Sequence, residues 1–149
     1  MKRAFTLAEI LIVVAILGIL AAIALPQFQS HAQEAKEAAA KDTLRILRNT
    51  IELYAAQHDG VPPGYYNDDP TQTPGFTVFW AQLIRDGKYL PHLPENPFNE
   101  NGFVIVIPNT DELPTEATGQ FGWIYKPAIK KIRIDWPGID SKGVRFYDY

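Results

Sequence analysis

From Phe5 to Leu25 the chain reads FTLAEILIVVAILGILAAIAL, and Glu9 is the one charged residue in that run. As a helix rising about 1.5 Å per residue, these residues cover roughly 30 Å, the hydrocarbon thickness of a bilayer. The segment is therefore long enough to span a membrane. A carboxylate inside such a span costs roughly 2.5–3.5 kcal/mol at mid-depth and less near the edge, so Glu9 needs a partner or a purpose.

Three readings of this opening compete. In the first it is a secretory signal peptide, with Lys2-Arg3 as the basic region and Ala22-Ile23-Ala24 as a cleavage site. Against it stand an acid where the apolar region belongs, an apolar run beyond the usual roughly 7–15 residues, and Pro26 beside the scissile bond. In the second it is an uncleaved signal anchor, and Thr6-Leu7-Ala8-Glu9 is a capping box in which Thr6 and Glu9 satisfy each other's backbone N–H. The third rests on the hexapeptide Ala4-Phe5-Thr6-Leu7-Ala8-Glu9.

That hexapeptide resembles the processing site of type IV pilins and type II secretion pseudopilins. The resemblance implies that a leader, residues 1–4, is cut off between Ala4 and Phe5 by a prepilin peptidase/methyltransferase. The same enzyme would then N-methylate Phe5. It also implies that Glu9 is the acid, five residues into the mature chain, that marks the family, and that Pro26 is the family's proline well down the helix. One departure is visible: Ala4 stands where the family usually has Gly.

Cleavage before Phe5 would expose an α-ammonium of pKa about 8 at the membrane edge. Glu9 lies one turn away, about 6 Å along the axis. In a filament of parallel, axially staggered helices, the ammonium of an incoming subunit meets the Glu9 of its neighbour. Each charge then neutralises the other, and the correct register is favoured. Phe5, Glu9 and Pro26 are thus expected to serve assembly.

Length and charge narrow the remaining choices. About 55 of the 149 residues are committed to one long N-terminal helix, leaving room for a single small domain and none for a multidomain enzyme. The formal net charge is −3, and loss of Lys2 and Arg3 would make it more negative by two. An acidic chain without a basic cluster is a poor nucleic-acid binder. There is no cysteine, so neither a disulfide nor a thiolate metal site can form. Lys2 and Arg3 precede the span and Gln27 to Gln33 carry no Lys or Arg, which places the N-terminus in the cytoplasm and the remainder outside.

Beyond the span, Gln27 to His58 places Phe28, Ala32, Ala35, Ala39, Leu44, Leu47, Ile51, Tyr54, Ala55 and His58 mostly three and four apart. That spacing predicts an amphipathic continuation of the helix over 26–60, with a kink or local break at Pro26 and an end at Asp59-Gly60. Glu37 and Lys41 make a favourable i,i+4 pair. A coiled-coil stalk is the alternative, but the apolar set lacks sustained heptads. Within the remaining residues, 61–149, Val61 to Pro74 reads as loop. Thr77 to Gly87 reads as a short helix with Thr77 as N-cap. Gly102–Ile107, Phe121–Lys126 and Lys130–Trp136 read as three strands, with Pro127-Ala128-Ile129 as the turn between the last two. The expectation is a pilin-like α+β fold: a long N-terminal helix packed on a small three-stranded antiparallel sheet.

The resemblance extends into this head. Gly87-Lys88-Tyr89-Leu90 followed by Leu93-Pro94-Glu95-Asn96-Pro97-Phe98-Asn99 is similar to the Leu-Pro-x-x-Pro-aromatic-x-Asn run of major pseudopilins. It implies a type II secretion pseudopilus subunit, anchored in the bacterial inner membrane with its head in the periplasm. Its partners would be itself as a helical homopolymer, minor pseudopilins, an inner-membrane assembly platform and the lipid bilayer. It further implies calcium in a C-terminal loop, for which Asp135, Asp140 and Asp148 are the acids available, with Ser141 and loop carbonyls beside them. Turn stabilisation is the competing role for those residues. Asn109 to Gln120 matches no pattern.

Catalytic readings find little support. His31, His58 and His92 are not at metal-ligand spacing, and no phosphate loop, nucleophile elbow or His-Glu-x-x-His motif occurs. Trp80, Trp123 and Trp136 are expected to serve the core of so small a head. Two alternatives to the pseudopilin stay open: a type IV pilin for adhesion, motility or DNA uptake, and a signal-anchored periplasmic binding domain.

Overall fold

The computed structural model of the chain describes residues 6–85 and 88–149. One helix, α1, runs Leu7–Gln57, so the expected local break at Pro26 does not divide it. Proline removes one backbone donor and does not by itself end a helix that is continued strongly on both sides. The helix stops where Asp59 and Gly60 take left-handed φ of 52° and 85°, and the Gly60 N–H returns 2.8 Å to the Ala55 carbonyl. Glycine accepts that backbone without a Cβ penalty, which makes Asp-Gly an efficient stop.

Contacts divide the chain into two units, Met1–Ala35 and Lys36–Tyr149. In the first, Leu7–Ala24 has a mean hydropathy of 2.8, and none of that window is buried within the chain. Ile10, Leu11, Ile12, Val13 and Val14 all lie at least half exposed. That surface is apolar on every side of the helix, as lipid requires and water does not tolerate.

The second unit is built on one stripe of α1. Glu37, Ala40, Leu44, Leu47, Ile51 and Tyr54 are buried, at steps of three and four. Ala39, expected on this stripe, is exposed and Ala40 replaces it, because the true register starts at Glu37. Against the stripe pack Val104, Trp123, Tyr125, Ile132 and Ile134 from the sheet, together with Phe79, Leu83 and Phe146.

The sheet has three short strands in the order β1 (Val104–Val106), β2 (Trp123–Lys126) and β3 (Lys131–Ile134). Strands β2 and β3 form the expected antiparallel hairpin around a 3-10 turn at Pro127–Ile129, closed by Lys130 at φ 50°. The pairing of β1 with β2 is parallel, with Val104 opposite Trp123 and Val106 opposite Tyr125, which corrects the all-antiparallel expectation. Parallel neighbours need a crossover of a dozen or more residues, and residues 107–122 supply it. Asn109 to Gln120 is thus the return path that this pairing demands.

The crossover also covers the outer face of the sheet. Ile107, Ile124 and Tyr147 form a second apolar cluster there, joined by Ile105, Leu113 and Ala117. Both faces of β2 are consequently buried, and its sequence Trp-Ile-Tyr is continuously apolar instead of alternating.

The short helix α2 is Phe76–Trp80, continued by one π-type turn at Ala81–Arg85. Gly75, not Thr77, occupies the N-cap, and no side chain caps the helix. Gly87 lies outside the described residues. The proline-rich run is tied to β2: Asn96 is fully buried and donates to the Gly122 carbonyl at 3.1 Å, and the Trp123 indole donates to the Pro94 carbonyl at 2.9 Å.

Candidate functional site

The start of α1 is a closed capping box. The Thr6 N–H and hydroxyl both donate to Glu9 Oε2 at 2.8 Å, and the Glu9 N–H donates to Thr6 Oγ1 at 3.2 Å. A helix begins with orphan backbone donors and a positive dipole end, so an acid in its first turn is stabilised there. Leu7, Ile10, Leu11 and Val14 surround this end with exposed apolar surface. Glu9 is thus held in the first turn of the helix as a carboxylate within a greasy surface. Ala4 and Phe5 lie outside the described residues, and of Pro26 the structure describes only its place within α1.

The three aspartates considered for calcium are bound up separately. Asp135 is fully buried and accepts from the backbone N–H groups of Thr118, Gly119 and Phe121 and from the Thr118 hydroxyl, at 2.5, 3.1, 2.9 and 2.7 Å. It pins the crossover to the end of β3. Asp148 bonds Arg145 at 2.7 Å and pairs with Arg133 at 3.5 Å, and the Arg145 hydrogen bond leads the interactions that lower its pKa.

Asp140 accepts from the N–H groups of Lys142 and Val144, both at 2.8 Å, and from the Tyr149 hydroxyl at 2.7 Å. The Tyr149 hydroxyl first, then the Val144 N–H, hold its carboxyl down at about 2. Calcium takes six to eight oxygens, whereas these carboxylates already face N–H, O–H and cationic donors. Among the described residues no group of three His, Cys, Asp or Glu converges on a point that would hold a metal. The residues present do not fit a calcium ion.

The remaining candidates are dispersed. His31 lies 3.7 Å from Glu34, and His58 stacks on Tyr54 with ring centroids 3.8 Å apart. Trp123 is core, Trp136 stacks on Phe98, and Trp80 is 39 % exposed. Sequence reading missed Thr118 as a partner of Asp135 and Glu37 as the acceptor for Ser141. For Glu37 a signal existed: it falls on the same three-and-four register as Ala40, Leu44 and Leu47.

Comparison with known proteins identifies relatives of the chain as a whole. The prokaryotic N-terminal methylation motif matches residues 1–25. The chain is 33 % identical over 114 residues to the type II secretion system core protein G of Pseudomonas aeruginosa, covering 73 % of this chain and 76 % of that protein. It is 29 % identical over 123 residues to the core protein G of Aeromonas hydrophila, covering 83 % and 78 %. It is also 31 % identical over 122 residues to the type IV major pilin protein PilE of Neisseria gonorrhoeae, covering 80 % and 64 %. No solved structure matches the chain. A long apolar N-terminal helix, a small α+β head on its second half, the methylation motif and these relatives place the chain in one group. It belongs to the type IV pilin and type II secretion pseudopilin superfamily, as a membrane-anchored, filament-forming structural subunit and not an enzyme.

Proposed function

We infer that this chain is the major subunit of a type II secretion pseudopilus. Residues 1–4 are removed between Ala4 and Phe5, Phe5 is N-methylated, and the 5–25 helix holds the subunit in the bacterial inner membrane with residues 61–149 in the periplasm. Release from the membrane into a growing homopolymer extends the filament, and its growth moves folded proteins outward across the outer membrane. Minor pseudopilins, an inner-membrane assembly platform and a prepilin peptidase/methyltransferase are the partners this role requires.

The observation that carries the reading is the placement of Glu9. It is a carboxylate fixed by Thr6 in the first turn of a helix otherwise apolar through Leu25. Such a group is costly in lipid unless a cation of another subunit meets it, and a new ammonium at Phe5 is that cation. The proline-rich run from Leu93 to Asn99 and the similarity to the two core G proteins over about three quarters of their length favour secretion over adhesion. A type IV pilin is the second reading, favoured by the similarity to PilE.

Mass spectrometry of the protein from its native membrane tests the processing. A chain beginning at Phe5 and heavier by about 14 Da, one methyl group, is expected. A chain still beginning at Met1 in assembled or membrane fractions would make this an uncleaved anchor. A secretin and a secretion ATPase encoded beside it would separate the pseudopilin from the pilin.

A further inference from the structure

The resemblance implies a C-terminal loop held by calcium, and the donor set disagrees. What holds the loop is on the chain itself. The Ser141 N–H and hydroxyl donate to the two carboxylate oxygens of Glu37 at 3.0 and 2.8 Å. One turn further along α1, Lys41 Nζ lies 3.5 Å from Asp140 Oδ2 and 4.3 Å above the Tyr149 ring. Asp140 Oδ2 also takes the Tyr149 hydroxyl, while Oδ1 takes the N–H groups of Lys142 and Val144. Glu37 is 5 % exposed and Asp140 6 %, so both carboxylates are withdrawn from water and need full compensation.

The placement on α1 is specific. Glu37 occupies the core-facing stripe, where an apolar residue would otherwise extend the packing of Ala40 and Leu44. An acid on that stripe is unfavourable unless the loop answers it, and Ser141 does so twice. Lys41 lies four residues on and brings a single ammonium to the buried face of Asp140. An ammonium is a compact cation with three donors on a flexible stem, able to stand beside a carboxylate and an aromatic face at once.

We propose that the 135–149 loop of this protein is closed by a metal-independent latch. In it Lys41 supplies the positive charge that a bound cation would otherwise supply, and Glu37 anchors the loop backbone through Ser141. The latch acts within the head and does not depend on how subunits assemble.

The test uses the full chain in detergent micelles, with amide hydrogen exchange over 138–149 and the thermal midpoint as readouts. In millimolar calcium and in EGTA the wild type is expected to give the same exchange and the same midpoint. Lys41→Met keeps the stem and removes the charge, and is expected to speed exchange at Lys142 and Val144 by about tenfold or more. Glu37→Gln is expected to do the same at Ser141, while Lys36→Met, an exposed lysine on the same helix, changes nothing. Slower exchange in calcium, or a lower midpoint in EGTA, would overturn the proposal from the wild type alone, whether or not a variant folds. Wild-type exchange in a folded Lys41→Met, judged by its near-ultraviolet tryptophan signal, would overturn it as well.

Discussion

A Cβ on Gly122 would stand 1.9 Å from the carbonyl oxygen of Asn101. The two backbones meet there because Gly122 is the last residue of the crossover before β2. Its N–H bonds the Phe103 carbonyl, and its own carbonyl accepts from Asn96 and from the Asp135 N–H. Gly122→Ala must therefore push apart backbone that is hydrogen-bonded on both sides. A loss of at least about 3 kcal/mol is expected, at the upper end of what overpacking costs. Chemical denaturation of the full chain, followed by tryptophan emission, measures it.

Asp135 answers four donors from Thr118, Gly119 and Phe121. In Asp135→Asn one oxygen becomes an NH2 group that faces donors, so about two bonds are lost and their donors stay buried. A cost of about 3 kcal/mol follows. Hydrogen exchange at Thr118 to Phe121 is expected to quicken, with the packing of Leu44 and Leu47 on the sheet retained.

Acid should loosen the C-terminal loop through Asp140. Its carboxyl is lowered from the ordinary 3.8 to about 2 in the folded chain. A carboxyl lowered by folding stabilises the fold fully above its unfolded pKa, and that contribution is lost as pH falls through the folded value. The loss thus falls between about pH 4 and pH 2. Thermal midpoints of wild type and Asp140→Asn across pH 2 to 6 are expected to differ most above pH 4 and to converge toward pH 2.

Glu9→Gln separates the local from the intermolecular role of that residue. Gln preserves the capping geometry with Thr6 and removes the charge. The variant is expected to insert normally and to yield at least about tenfold fewer filaments, the equivalent of 1.4 kcal/mol or more per docking event. Sedimentation of sheared filaments and immunoblotting of membranes read the two arms. Normal filament yield would return Glu9 to the capping box alone.

Much of this architecture is legible along the chain. The apolar span, the amphipathic continuation, the Asp59-Gly60 stop and the β2–β3 hairpin all follow from local periodicity and turn chemistry, which neighbouring residues alone impose. The parallel partnering of β1 was not legible. Three residues of Val-Ile-Val carry no mark of strand direction, and a long connection can serve either as a loose hairpin or as a crossover. Thr77 looked like an N-cap by composition, but Gly75 takes that position and α2 begins two residues earlier.

The same division runs through the functional residues. The roles proposed for Phe5 and Glu9 rest on one-dimensional signals, a processing motif and a charge in an apolar run. The partners of Asp135, and the pairing of Glu37 with Ser141, were not visible in that way, since Thr118 is 17 residues from Asp135 and Glu37 is 104 from Ser141. The residues in order determined a membrane helix, its lone acid and a small head of a known kind. Only the folded chain decided that the C-terminal acids meet N–H, O–H and cationic donors. A carboxylate's role is set by what faces it in space, and no local pattern encodes that.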